Sequence, residues 1–177
     1  MLTSLDKDDI LILQLLQHDS RMTNKEIADK IGKSVSPVYE RIRRLENEGI
    51  IRQYVALLDR RKVNRGLCAY VNVQLKEHAA EMMSTFEREV IRFNEVMECY
   101  HMTGNYDFLL KVEVKDMDAY YSFMLDHLAT LANVGTVQSF FVLNEAKKDL
   151  AYKLDDVLQK QPKGVLTAKK KMLEVAV

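Results

Sequence analysis

Between Thr23 and Gly49 the chain reads TNKEIADKIGKSVSPVYERIRRLENEG, and few arrangements satisfy that pattern. Thr23 and Glu26 have the Thr-x-x-Glu spacing of a capping box, which predicts a helix start. Ile27, Ala28 and Ile31 supply an apolar face, and Gly32 is placed to close the helix in left-handed geometry. Ser36 then offers an N-cap, and Pro37 suits a first helical position, where a missing N–H costs nothing. Val38, Ile42 and Leu45 follow at spacings of four and three, one face of a second helix, and Gly49 stops it. Two short helices across a tight glycine-containing turn predict a helix-turn-helix. The second helix of such a unit commonly enters the major groove of DNA.

The face opposite that apolar stripe carries the chemistry. At about 100° per residue, Ser36, Glu40, Arg43 and Asn47 lie across from Val38, Ile42 and Leu45. Tyr39 and Arg44 flank them. Arg41 lies nearer the core face, suited to orient the helix or to touch phosphate. Arginine pairs bidentately with guanine, and Ser and Asn bond base edges or phosphates. Glu40 either accepts from a cytosine amino group or holds a neighbouring arginine. With Ser34 and Pro37 at the entry, the candidate DNA contacts are Ser34, Ser36, Pro37, Tyr39, Glu40, Arg41, Arg43, Arg44 and Asn47. The plainer alternative is a helical hairpin with a solvated charged face.

Net charge is zero over the chain, unlike most DNA binders, but it is unevenly spread. Residues 1–65 hold 13 Lys/Arg against 10 Asp/Glu, and residues 66–177 hold 13 against 16. A mildly basic first half on an acidic remainder suits a DNA-reading head joined to something else. Two paired heads would supply phosphate contacts that one lacks. No apolar run approaches the roughly 20 residues of a membrane span, and the N-terminus lacks a basic-then-apolar signal. Cys68 and Cys99 show no metal or disulfide spacing and read as buried thiols. These features predict a cytoplasmic protein with no cofactor, no metal and no membrane contact.

Residues 5–18 predict a first helix, with Asp6, Asp8 and Asp9 favoured at its start by the helix dipole. Ile10, Leu11, Leu13, Leu15 and Leu16 form its buried stripe. Residues 50–58, IIRQYVALL, read as a strand leaving the head, and 59–66 as a polar linker. The rest alternates strand and helix: strand 67–75, helix 79–93, strand 95–103, turn 104–107, strand 108–114, a helix capped by Asp116 or Asp118 and running to about 131, and strand 134–143. The nine Met and the aromatic stripes are assigned to inner faces. The order β-α-β-β-α-β predicts an α+β fold, ferredoxin-like in its second half. Both helices then cover one face of the sheet, and a second copy is expected to cover the other. The predicted division is 1–50 head, 51–66 strand and linker, 67–154 second domain, and 155–177 tail. Residues 144–154 read as a possible short strand. The tail, with Lys169-Lys170-Lys171, reads as frayed or a short helix.

Over about residues 5–150 the chain resembles the Lrp/AsnC family of transcriptional regulators. The matching pattern is Leu5-Asp6, Asp9, Ile10-Leu11, Arg21, Ala28, Ser34, Val38, Arg41-Ile42, Leu45-Glu46, Gly49-Ile50 and Tyr54. Gly104-Asn105-Tyr106-Asp107 followed by Leu109-Leu110-Lys111-Val112 is similar to the family's Gly-x-Tyr-Asp loop and strand. The resemblance implies a winged helix-turn-helix joined to a ferredoxin-like effector and oligomerisation domain. It also implies homodimers that assemble further, often to octamers, and a small effector, typically an amino acid, bound near that loop. The implied effector residues are Met102, Thr103, Gly104, Asn105, Tyr106, Asp107, Thr136 and Ser139. The last strand departs from the family's Thr-x-Thr element, reading Val137-Gln138-Ser139 at that place.

Gly-Asn also suits an ordinary hairpin turn, in which Asp107 satisfies turn N–H groups. Exposed loop N–H groups with a carboxylate would hold the two ends of a zwitterion, with Tyr106 over its aliphatic part. His18, His78, His101 and His127 are scattered and fit no catalytic arrangement, and Cys99-x-His101 reads as packing. The expectation is therefore a sequence-specific regulator that is not an enzyme. It would bind a pseudo-palindromic duplex as a homodimer or octamer and respond to an effector by changing assembly state. The alternative is a ferredoxin-like dimeric small-molecule enzyme or sensor whose helical head makes protein contacts.

Overall fold

The computed structural model describes residues 5–154. They form two compact units: residues 5–55 with 149–154, and residues 56–148.

In the first unit, α1 (Lys7–His18), α2 (Asn24–Ile31) and α3 (Val35–Asn47) enclose a core of Ile12, Leu13, Leu16, Ile27, Ala28, Val38, Ile42 and Leu45. Asp6 and Asp9 form a capping box at the start of α1. Thr23 and Glu26 form the expected one at α2, with Thr23 N–H donating to Glu26 Oε2 at 2.7 Å. Gly32 closes α2 at φ 68°, a left-handed value that glycine adopts without a Cβ penalty. The run from Ile10 to Leu16 is apolar at six of seven positions, so periodicity alone leaves its buried face open. Packing selects Ile10, Ile12, Leu13 and Leu16, while Leu11 and Leu15 are only half-buried.

Three expectations for this unit are corrected. The start of α3 lies two residues earlier than Ser36: Ser34 is its N-cap and Val35 its first residue. Pro37 is therefore third in the helix, where its missing N–H is still harmless because first-turn N–H groups have no intrahelical partner. Residues 50–58 form no strand. A strand needs a ladder partner for its backbone, and no described residue provides one there. Tyr54, Val55, Leu57 and Leu58 consequently lie exposed, and the Tyr54 hydroxyl donates to Glu46 Oε1 at 2.8 Å. Residues 144–154 form no strand either. Their last part packs with the helical unit instead: Gln17 exchanges two hydrogen bonds with the Tyr152 backbone, and Leu154 joins the helical core.

The second unit has a four-stranded antiparallel sheet in the order β2-β3-β1-β4, from β1 (Leu67–Leu75), β2 (Val96–His101), β3 (Phe108–Val114) and β4 (Val134–Phe141). With α4 (Ala80–Val90) and α5 (Met117–Ser122), this is the ferredoxin-like order. Asp116 caps α5, which runs on through a π turn, Phe123–His127, and a 3-10 turn, Leu128–Thr130. Val71, Val73, Leu110 and Val112 face Phe86, Val90, Tyr120, Phe123 and Leu128 to make the core.

The other face of the sheet carries Glu98, Lys111, Tyr70 and Phe140 in one row across the four strands. Lys111 Nζ lies 2.8 Å from Glu98 and 3.6 Å from Glu113. The methionines and aromatics are not all inward, because this face and the helix surfaces carry several. Met97, Tyr100, Met102, Met117, Tyr121 and Phe140 are exposed. Cys68 is buried as expected, and Cys99 is half-buried. The tail beyond residue 154, with its three lysines, lies outside the described residues.

Candidate nucleic-acid interface and ligand loop

The apolar stripe of α3 seats the helix on the core, so the remaining positions are presented outward. Ser34, Ser36, Pro37, Tyr39, Glu40, Arg43 and Asn47 are all exposed, in agreement with helical spacing. Glu40 makes no ion pair with any described residue. Beside Arg43 and Asn47, an open groove of about 440 Å³ runs between α3 and the turn entering α2. Leu16, Met22 and Ile42 lie at its base, and Ser20, Asn24, Tyr39, Glu46 and Tyr54 supply polar groups. Burial, and then the hydrogen bond to Glu46, pushes the Tyr54 phenol up to about 12, so it stays a donor at neutral pH.

Arg41 and Arg44 have partners that residue spacing did not foresee. Asp9, fully buried at 0% exposure, lies between them. Arg41 Nη1 donates to Asp9 Oδ1 at 2.7 Å and to Asp6 Oδ2 at 2.6 Å. Arg44 Nη2 approaches Asp9 Oδ2 at 2.6 Å, an ion pair off the ideal hydrogen-bond angle. Lys33 pairs with Asp8 at 3.0 Å. Partial burial pushes Asp6 up, but the Asp9 N–H and the Arg41 guanidinium outweigh it and hold the carboxyl below its ordinary value. Hydrogen bonds to Asp6 and then Asp9 raise Arg41 further. Arg43 has no ion pair among the described residues, so α3 presents one arginine with its guanidinium uncommitted and two that are engaged.

In the second unit, the segment 102–107 joins β2 to β3. Met102, Thr103, Gly104 and Asn105 are exposed, and Gly104 has φ 114°. Asp107 is tied inward: Leu75 N–H donates to its Oδ2 at 2.7 Å, and His78 Nε2 lies 3.3 Å from the same oxygen. Asp107 N–H also donates to Val73 O at 2.9 Å. The carboxylate thus ties the loop to the end of β1, and among the described residues it accepts from no N–H of its own turn. The Tyr106 hydroxyl donates to Gln138 Oε1 at 2.6 Å.

Register places Thr136 opposite Gln74 and Gln138 opposite Asn72, on the face away from the helices. Ser139 pairs with Val71 and so points the other way, where it accepts from the Tyr120 hydroxyl. Alternation along a strand therefore separates Ser139 from Thr136 and Tyr106. His78 and Gln138 are the loop neighbours that the sequence did not single out. Gln138 was legible from strand period two, whereas His78 reaches the loop only through tertiary packing. Among the described residues no group of three or more His, Cys, Asp or Glu side chains is placed to hold a metal ion. No helix among them is long and apolar enough to cross a membrane.

Two family descriptions match the chain: a winged helix-turn-helix DNA-binding domain over residues 5–52, and an Lrp/AsnC ligand-binding domain over residues 68–152. The chain is 34% identical over 142 residues to the Bkd operon transcriptional regulator of Pseudomonas aeruginosa, covering 80% of this chain and 93% of that one. It is 35% identical over 144 residues to the leucine-responsive regulatory protein of Escherichia coli, covering 81% and 88%. A crystal structure of a Neisseria meningitidis transcriptional regulator in complex with L-Met is similar at TM-score 0.82 and 40% identity, covering 87% of this chain and 99% of that one.

Proposed function

This chain belongs to the Lrp/AsnC family of transcriptional regulators, and from that premise we propose that α3 is its groove-reading helix and the 102–107 segment its effector loop. The observation that carries the first part is Arg43. It stands exposed in the middle of α3 without an ion pair among the described residues, flanked by exposed Tyr39, Glu40 and Asn47. Arg43 and Asn47 are the reading groups, Ser34 and Ser36 contact phosphate at the helix entry, and Pro37 and Tyr39 pack against sugar and base edges. Arg41 and Arg44 act chiefly on the protein side. Two heads in a homodimer place two such helices in successive major grooves of a pseudo-palindromic duplex.

The second unit supplies the pairing and the response. Its helix-free sheet face carries exposed Tyr70, Tyr100 and Phe140, which a second copy covers. The effector is an amino acid. Support comes from the L-Met complex of the Neisseria relative and from the leucine-responsive regulator among the relatives. Met102, Thr103, Gly104, Asn105, Tyr106, Asp107 and Thr136 surround it, with His78 and Gln138 beside them, while Ser139 acts only through Tyr120. Binding there shifts the balance between dimer and octamer, whose DNA affinities differ. The relatives are transcriptional regulators, and in this reading the chain regulates without turnover, in the compartment that holds the chromosome.

The test is binding of R43A to a duplex selected by the parent chain from a random-sequence pool. Loss of about tenfold or more in affinity, with sedimentation unchanged, is expected. Unchanged affinity, or loss of the oligomer, would overturn the assignment of α3.

A further inference from the structure

The three arginines of α3 have different surroundings, and the difference traces to one buried carboxylate. The apolar contact of Val38, Ile42 and Leu45 holds α3 against the core, but hydrophobic burial is non-directional and permits small rotations. Asp9 adds direction. Its Oδ1 accepts a hydrogen bond from Arg41 at 2.7 Å and its Oδ2 forms an ion pair with Arg44 Nη2 at 2.6 Å, so each oxygen is engaged by a different residue of α3. The carboxylate cannot swivel to follow a turning helix, because Oδ2 also accepts Asp6 N–H at 3.0 Å in the capping box of α1. Two fixed points on one helix define its rotation about its own axis, where one point would leave a pivot. At about 100° per residue, Arg43 lies roughly 200° around α3 from Arg41. Holding Arg41 against α1 therefore turns Arg43 outward.

We propose that Asp9 is a positioning residue for DNA reading. The two-point clamp between its buried carboxylate and Arg41 and Arg44 sets the azimuth of α3, and with it which side chains face the bases. This rests on the reading of α3 as the groove helix. Buried ion pairs are costly to assemble, and setting register is among their best-attested uses. Base contacts depend on azimuth to within a hydrogen-bond length, whereas phosphate contacts from long flexible side chains tolerate a small rotation. The clamp thus acts on discrimination between sequences more than on attraction to DNA.

The experiment compares the full-length parent, D9N and R44A on two duplexes: one selected by the parent from a random-sequence pool, and a scrambled duplex of equal composition. For folded D9N, the ratio of the two affinities is expected to fall at least about tenfold, with scrambled-duplex binding little changed. A purely structural role lowers both affinities together through the unfolded fraction and leaves the ratio where it was, and that result overturns the proposal. R44A removes one clamp point and decides the matter if D9N does not fold. A reduced ratio with the salt slope of scrambled-duplex binding unchanged supports the clamp. A slope smaller by about one, with the ratio kept, makes Arg44 a phosphate contact and overturns it. If the parent selects no duplex at all, the groove reading itself fails, a result distinct from either variant outcome.

Discussion

Leu45 shows how much a single position in this fold can carry. It is 0% exposed in the helical core, and its carbonyl also accepts the N–H groups of Ile50 and Ile51 as α3 ends. L45A leaves that backbone cap in place and empties the core beside Val38 and Ile42, so a loss of about 3 kcal/mol in denaturant unfolding is expected. Gly104 tests the opposite kind of constraint. Nothing lies within 4 Å of a Cβ built there, yet its φ is 114°. G104A therefore meets no clash and only backbone strain, about 1–2 kcal/mol in the same assay. Asp6 gives a pH dependence with a definite sign. Its carboxyl titrates below the ordinary 3.8, so the stability it contributes is present above that value and is lost as pH falls through the lower folded value. The gap in thermal midpoint between the parent and D6N should be full at neutral pH and should close in the acid range. A gap that widened on acidification would contradict the contacts of Asp6 with the Asp9 N–H and with Arg41 as the cause.

At the scale of elements, α1, α2 and α5 are capped by local side chains while the sheet is held by pairs between strands. T23A removes one half of the α2 capping box and should cost about 1 kcal/mol, seen as a lower thermal midpoint of the helical unit. On the sheet, Lys111 is the cation between Glu98 and Glu113. The hydrogen bond that Lys111 donates to Glu98 is the main cause of the lowered Glu98 carboxyl. Lys111 is raised on balance, since burial pushes it down but the pair with Glu98 outweighs that. Their mutual stabilisation is thus present from above the ordinary glutamate value of 4.5 to below the ordinary lysine value of 10.5, and is lost on either side. K111M leaves two carboxylates on β2 and β3 without their cation. The expected cost is on the order of 2 kcal/mol at neutral pH, moderated because Glu98 is part-exposed. Chemical unfolding should show this penalty shrinking as Glu98 protonates.

For the whole molecule, the test is assembly. If the helix-free sheet face pairs two copies, F140E places a carboxylate beside Tyr70, at the end of the row that runs on through Lys111 and Glu98, on a surface that becomes buried. Sedimentation should then show monomer where the parent shows dimer, and a dimer that survives would put the contact elsewhere. Sedimentation of the parent with leucine, methionine and the other amino acids tests the effector. A ligand-dependent shift among dimer, tetramer and octamer identifies the effector, and a set with no shift would count against an amino acid. A shift that H78A weakens would place the 102–107 loop and its neighbour His78 at the ligand.

Local signals were legible in the residues themselves. Thr23, Glu26 and Gly32 bound α2 where their spacing predicts, and the β-α-β-β-α-β order and the limits of β1 and β3 match, because capping and alternation involve neighbours within one turn or one strand. The exposed set of α3 was legible for the same reason: once Val38, Ile42 and Leu45 are known to be core, 3.6-residue geometry places the rest. Four matters were decided only in three dimensions. Residues 50–58 have the composition of a strand but no ladder partner within the described chain. Ser139 is two strand positions beyond Val137, yet Tyr120 and the sheet register decide what it meets. Asp107 and His78 are 29 residues apart by their numbering, and only the packing of β1 on β3 makes them neighbours. Asp9 reads as a dipole-favoured helix-start acid until α3 is laid against α1. Capping and periodicity are short-range and written in spacing, whereas the pairing of a buried charge depends on which distant helix is packed beside it.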